Sequence, residues 1–334
     1  MVPRPLFSLI PSPAMRHRRV GRSGLQTGVV GLGAWLTFGQ SVDQAATTRI
    51  LRAALDGGVT FLDTADVYGT GAAEAAWGVA LEGAPREHYV LATKAFFPMS
   101  AHRFDRGLSR KHLCAALDAS LRRLRTPYVD LYQCHRFDPE TPVEEVVRTM
   151  DDFVSAGKIR HWGVSCWTAA QIEEAVRLAR GAGREPPISN QPPYNLLDRA
   201  IEAEVLPKCR ELGLSQVVFS PLAQGALTGK YLGGRKPPGS RAAQPRIAGF
   251  MDRYFEPQAA AATERLAAVA AQAGMPLGRL ALAWCLRDEN VASVIVGATS
   301  EAQLAENLAA ADVVLAPDVL AAIDRALSPV HGAP

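Results

Sequence analysis

Four residues of this chain carry side chains that together can deliver a proton to an oxygen: Asp63, Tyr68, Lys94 and His135. The first two share one segment, Asp63-Thr-Ala-Asp-Val-Tyr68-Gly69, while Lys94 closes the run Tyr89–Lys94 and His135 follows Gln133-Cys134. A tyrosine titrates near ~10 and is a poor acid alone, but an ammonium held against its oxygen favours the phenolate and lowers that value. An aspartate behind the lysine would keep the ammonium charged when buried, and a neutral histidine can orient a carbonyl beside the phenol. Such a set protonates an oxygen while a second reagent attacks the adjoining carbon. Taken singly, each residue is more simply explained by packing, capping or solvation; the chemistry requires that the fold bring them together.

The attacking reagent is not expected to be a metal. The histidines (His17, His88, His102, His112, His135, His161 and His331) are dispersed and form neither HxxxH nor HExxH. A cofactor is the alternative, although both common nucleotide motifs fail. Gly31-Leu-Gly33 opens no GxGxxG because position 36 is Leu, and Gly225-Ala-Leu-Thr-Gly229-Lys230-Tyr231 is one residue short of a P-loop. Two other segments can hold phosphate: Ser220-Pro-Leu-Ala-Gln-Gly225, followed by Lys230, and Gly297-Ala-Thr-Ser300 directly before a helical pattern. Ser300-Glu-Ala-Gln303 itself reads as a capping box, so the phosphate role is assigned to its neighbourhood.

The elements that must position these residues alternate along the chain. Short β-branched runs lie at Val29–Gly33, Thr60–Asp63, Tyr89–Lys94, Val129–Gln133, Ile159–Ser165, Ile188–Gln191, Gln216–Ser220 and Val291–Val296. Helical periodicity separates them, at Gln44–Asp56, Glu74–Leu81, Arg110–Leu124, Val143–Ala156, Ala169–Ala179, Ala200–Leu212, Pro257–Ala273 with Leu277–Arg287, and Ala302–Ala310. Eight uninterrupted βα units predict an α/β fold of the (β/α)8 TIM-barrel class, with an open doubly wound sheet as the competitor. In a barrel, Asp63, Tyr68, Lys94 and His135 come from three neighbouring strand ends. An N-terminal β-hairpin around Ser23-Gly24 is expected to floor the barrel, and a long loop after strand 7, Lys230 to Glu256, to act as lid or clamp. The expected organisation is a flexible N-terminal leader (1–17), a barrel domain (18–328, closed by a helix over Asp318–Leu327) and a C-terminal tail (329–334). Met15, followed by Arg16, is an alternative translation start.

Composition fits this class: 48% hydrophobic and 21% charged residues make an ordinary globular chain. The net charge of +3 is carried by Arg4, Arg16, Arg18, Arg19 and Arg22, which all precede the first acid, Asp43, so the remainder is slightly acidic. It lacks the basic face that nucleic acid requires. No stretch reads as a signal peptide or spanning helix, so membrane insertion is not expected. Five scattered cysteines without a CxxC pair point to a reducing, cytoplasmic location.

Several ordered stretches now carry a resemblance: Gly31-Leu-Gly-Ala-Trp35-Leu-Thr-Phe-Gly39, Asp63-Thr-Ala-Asp-Val-Tyr68, Gly107-Leu-Ser-Arg-Lys-His112, His135-Arg-Phe-Asp138, Thr141-Pro-Val-Glu-Glu145, Ser220-Pro-Leu-Ala223, Gly229-Lys-Tyr231 and Leu282-Ala-Trp-Cys-Leu-Arg287. Over about residues 18–328 the chain resembles the aldo-keto reductases, in particular the branch containing the voltage-gated potassium-channel β subunits. The resemblance implies a (β/α)8 barrel, NADPH as cofactor and a small carbonyl substrate, with Tyr68 as general acid, Asp63 and Lys94 tuning it and His135 orienting the carbonyl. The implied cofactor contacts fall on Ala34, Trp35, Gln40, Asp63, Ser165, Gln191, Phe219, Ser220, Leu222, Gln224, Gly225, Lys230, Arg241, Gly297, Thr299, Gln303, Glu306 and Asn307.

Some positions depart from the family pattern. An Asn often replaces His135 in the channel subunits, so the histidine favours an active enzyme. Cys166 and Phe219 stand where that branch has Arg and Trp. Relative to many other aldo-keto reductases, Gly297 and Gln303 replace the Lys and Arg that grip the adenosine 2′-phosphate, which shifts the choice of NADPH over NADH to Thr299, Gln303 and Arg241. Trp35, Phe96 and Phe97 suggest an apolar mouth. Two functions follow: NADPH-dependent reduction of aldehydes and ketones to alcohols, or a cofactor-bound regulatory or scaffolding subunit with slow turnover. The same branch implies a homo-oligomer, a tetramer.

Overall fold

The computed structural model describes residues 15–331; most of the expected leader and the last residues of the expected tail lie outside the described residues. A short antiparallel hairpin, β1 (His17–Arg19) and β2 (Gln26–Gly28), leads into eight parallel strands. These are β3 (Val30–Gly33), β4 (Phe61–Asp63), β5 (Val90–Ala95), β6 (Val129–Cys134), β7 (Ile159–Val164), β8 (Ser189–Asn190), β9 (Ser215–Val218) and β10 (Val291–Val296). They close in chain order, with β10 paired to both β9 and β3. The closed sheet removes the open-sheet alternative, and the (β/α)8 barrel stands.

All residues of β5 and β10 are buried because each strand is covered on both faces, by the barrel interior and by the helix ring. That ring follows from periodicity. In α1 (Gln44–Asp56) the buried residues Thr47, Ile50, Leu51 and Ala54 recur at helical spacing, and Val143, Val146, Val147 and Met150 do the same in the helix Val143–Ser155. Inside the barrel, Phe61, Val90, Ala92, Leu131, Val217 and Ala292 pack with Val20, which the hairpin inserts as a plug. The hairpin is tied down by Arg18, whose guanidinium donates to the carbonyls of Leu286, Asp288 and Val291 at 2.6–2.8 Å.

Three segments differ from expectation. The single helix expected over 200–212 is a turn at Ala200–Glu202 followed by a helix at Val205–Leu212. Pro207 explains the break: a continuous helix would drive its ring into the carbonyl four residues earlier, whereas the first turn of a new helix tolerates it. The long loop after β9 is not structureless. It contains single turns at Leu232–Gly234, Arg241–Ala243, Pro245–Ala248, Gly249–Met251 and Asp252–Phe255, each too short to produce a hydrophobic period. The C-terminal helix runs over Pro317–His331, so the boundary expected at 328 falls inside it. Among the described residues, no single helix is long and apolar enough to cross a membrane.

Candidate active site

Strand alternation decides which side chains enter the barrel. Phe61, Ala92 and Leu131 belong to the interior cluster, so the residues two further along, Asp63, Lys94 and Gln133, point inward at the carboxyl ends of β4, β5 and β6. Register sets Lys94 opposite Gln133 and Asp63 opposite Ala92, one inward-facing step below Lys94. Lys94 is fully buried, and its three ammonium protons have three acceptors: Asp63 Oδ2 at 2.7 Å, the Thr64 carbonyl at 2.7 Å and Tyr68 Oη at 3.5 Å. The other oxygen of Asp63 accepts from Gln191 Nε2 at 2.9 Å and Gln133 Nε2 at 3.4 Å. His135 lies with its ring edge-on to Tyr68, centroids 5.7 Å apart.

The electrostatics follow from burial and from Lys94. Burial is the largest single influence and works against the ammonium, but the Asp63 carboxylate and the Tyr68 oxygen together more than offset it, and Lys94 titrates above its ordinary value. Burial together with the nearby Lys94 and Arg136 charges pushes His135 well below its ordinary value, so the imidazole is neutral. Tyr68 departs from expectation. Burial raises its pKa by more than Lys94 lowers it, so the phenol is held protonated above the ordinary tyrosine value. The Asp63 carboxylate adds a smaller upward push of its own.

Above this group lies a cleft of about 1050 Å3. Asp63, Tyr68 and His135 reach its floor, while Lys94 is sealed behind them. Of the residues implied as cofactor contacts, all but the buried Ala34 and the exposed Gln40 line this cleft. Trp35 and Phe97 form apolar walls with Phe250, which meets Trp35 edge-on at 5.3 Å; Phe96 does not line the cleft and packs against the core.

The far end of the cleft has the donors a dinucleotide needs. Ser220, Ala223, Gln224 and Gly225 all have positive φ, from 48° to 101°, which curls this segment tightly beside the cleft. A side chain at Gly225 would meet Lys230 Cε at 3.0 Å, so the glycine is what lets the lysine lie against this loop. Arg241 lies over Trp35, donates to Gln224 Oε1 and sits beside Gly297, which ties it to three sides of the cleft. Ser300 caps its helix by accepting from the Gln303 N–H at 3.3 Å, as its sequence suggests; the Gln303 side chain turns back to the Thr299 N–H at 3.0 Å. These groups fit the two phosphate-bearing halves of a nicotinamide dinucleotide.

Sequence reasoning missed four participants. Gln133 was visible through its period-two spacing from Leu131 but was read only as a strand end. Arg136 and Arg279 line the cleft from the run His135-Arg-Phe-Asp138 and the helical pattern Leu277–Arg287, in which neither residue was given a role. The fourth, Asp66, is fully buried next to the catalytic floor, its backbone N–H donating to the Lys94 carbonyl at 3.1 Å. Its carboxyl has no well-formed hydrogen bond, only a weak approach of the Val67 N–H. Burial and the neighbouring Glu74 carboxylate push its pKa up to about 8.

A closed (β/α)8 barrel with a buried lysine between an aspartate and a tyrosine, beneath a cleft of about 1050 Å3, defines a class of barrel with a polar, titratable floor. Residues 29–328 match the family model described as "Aldo/keto reductase family", and the chain belongs to that family. Among its relatives, a protein of Oryza sativa subsp. japonica named "Probable voltage-gated potassium channel subunit beta" is 41% identical over 93% of this chain and 96% of its own length. An Arabidopsis thaliana protein of the same name is 40% identical over 94% of this chain and 97% of its own.

Proposed function

We propose that the protein reduces aldehydes and ketones to alcohols with NADPH. The observation that supports this best is the buried Lys94 bridging Asp63 and Tyr68 on the floor of a cleft suited to a dinucleotide. When bound, the nicotinamide supplies the hydride that the carbonyl carbon accepts. Tyr68 donates its proton to the carbonyl oxygen, and burial ensures that the phenol is protonated before the reaction. As the proton leaves, the Lys94 ammonium stabilises the phenolate. Asp63 keeps that ammonium charged, and Gln191 and Gln133 hold Asp63 in place. The neutral His135 orients the carbonyl through a ring nitrogen.

Ser220, Gln224, Lys230 and Arg241 are the groups we assign to the pyrophosphate. To the adenosine end we assign Thr299, Gln303 and Arg279, all on the cleft. The cysteines of the described residues are all free, which fits the reducing cytoplasmic location we propose. The names of the relatives support a second reading, a cofactor-bound subunit of a larger assembly; light scattering tests the homo-oligomer that reading favours.

The test is consumption of NADPH in the presence of a panel of aldehydes, with one alcohol formed per cofactor oxidised. Cofactor binding without turnover of any carbonyl would favour the subunit reading.

A further inference from the structure

The cleft carries more positive charge than a dinucleotide uses. Lys230, Arg241 and Arg279 line the part where the phosphates of a cofactor belong. Arg136 is at the other end, beside the reacting groups. Its guanidinium lies 5.3 Å from the Phe97 ring, which in turn is 4.9 Å from the His135 ring. Its charge acts on Tyr68, His135 and Cys166. A nicotinamide ring brings no phosphate there, so cofactor binding leaves this charge unanswered.

The protein does not answer it either. Arg136 uses one terminal nitrogen, Nη1, to donate to the His135 carbonyl and, at 3.3 Å, to Ser165 Oγ. Among the described residues it forms no ion pair, whereas Arg253, also on the cleft, is paired with Asp198 at 3.1 Å. A partly buried guanidinium held by neutral acceptors pays a desolvation cost that an anion would offset. The two bonds fix the plane of the fork and leave Nη2 and Nε available, the geometry that receives a carboxylate or phosphate through two parallel hydrogen bonds.

We infer that Arg136 is the anchor for an anionic group on the substrate, so that the preferred substrates are aldehydes or ketones bearing a carboxylate or phosphate a short spacer away from the carbonyl. The inference rests on the reductase reading for the carbonyl, while the anion site stands on Arg136 alone. With the anion on Arg136 and the oxygen between Tyr68 and His135, the substrate is held at two points and the carbonyl carbon is fixed between them. Phe97 forms the apolar wall along the spacer.

Matched pairs that differ only in charge test this: 4-carboxybenzaldehyde against its methyl ester, and glyceraldehyde 3-phosphate against glyceraldehyde. The expected kcat/KM is at least ~10-fold higher for one or both charged members, expressed in KM and weakened by added salt. The pair with the larger ratio identifies the anion. Arg136→Met should lower kcat/KM for the charged member at least ~10-fold more than for its neutral partner, and Arg136→Lys should restore part of the difference as a point charge without the fork. A second readout avoids turnover: benzoate and inorganic phosphate, titrated into the cofactor-loaded protein and followed by tryptophan fluorescence, should bind to wild type and lose affinity at least ~10-fold in Arg136→Met. Neutral members reduced as well as charged ones, or an Arg136→Met variant that slows both equally, would overturn the inference while leaving the reductase reading intact. Failure of every carbonyl with Arg136-dependent anion binding preserved would remove the reductase reading and keep the site.

Discussion

Replacing Asp66 by Asn tests the electrostatics of the catalytic floor without touching the four reacting groups. Asp66 is buried beside Glu74, whose carboxylate is held by Thr93 Oγ1 at 2.5 Å and Arg123 Nε at 2.7 Å, so the local cation is already committed. With its pKa raised to about 8, the Asp66 carboxyl is a neutral acid in the fold and a carboxylate in the unfolded chain at neutral pH. A group whose folded pKa is raised stabilises fully at low pH, below its unfolded value, and that contribution is lost as pH rises through the folded value. The native state therefore binds one more proton than the unfolded state between about pH 5 and pH 7.5, and each pH unit costs ~1.4 kcal/mol. Across that window the loss amounts to ~3 kcal/mol, since 2.303RT accrues for each unit. Asparagine has the same shape and no charge to bury, so Asp66→Asn should erase this component. Urea unfolding of both proteins at pH 5, 6.25 and 7.5 and constant ionic strength should show the variant gaining on wild type by roughly 3 kcal/mol from the lowest to the highest pH. Stability curves that remain parallel across the series would refute the reasoning.

Other outcomes follow from the same geometry. Lys94→Met should abolish turnover at neutral pH, because the Tyr68 phenolate loses its stabilising charge, while cofactor binding reports that the barrel is still folded; an unchanged pH profile of any residual activity would give Lys94 another role. In wild type, reduction should hold level through neutral pH and fall only above the ordinary tyrosine range, since burial raises Tyr68 and the protonated phenol is the active form. Gln303→Arg should widen the preference for NADPH over NADH by adding a fork at the adenosine end. Arg241→Ala should weaken NADPH and NADH alike and speed their release, because the pyrophosphate we assign to it is common to both; dissociation constants and off-rates at fixed ionic strength check this.

The barrel was legible because its signal is periodic. The eighth strand, Val291–Val296, and the helices Gln44–Asp56 and Arg110–Leu124 have the bounds their patterns suggest. Strand β8 was harder: only Ser189–Asn190 counts as strand, although Ile188 and Gln191 continue the backbone bonding to β7, with the Gln191 N–H 2.8 Å from the Val164 carbonyl. The convergence of Asp63, Tyr68, Lys94 and His135 was predictable from strand ends alone. What the sequence did not reveal was the balance of energies among them. Whether Lys94 lowers Tyr68 or burial raises it depends first on how completely the phenol is buried, which no spacing in the chain encodes. The role of Arg136 was hidden for a related reason: that it has no ion-pair partner among the described residues is visible only when its neighbours are in place.

The account turns on Tyr68 as the proton donor, and Tyr68→Phe removes that proton while keeping the ring beside His135 and Lys94. Wild type and variant should be compared for reduction of one aldehyde by NADPH and for the NADPH dissociation constant. The expected result is a fall in kcat of at least ~10²-fold with cofactor affinity essentially retained. Near-normal turnover by Tyr68→Phe would contradict the account.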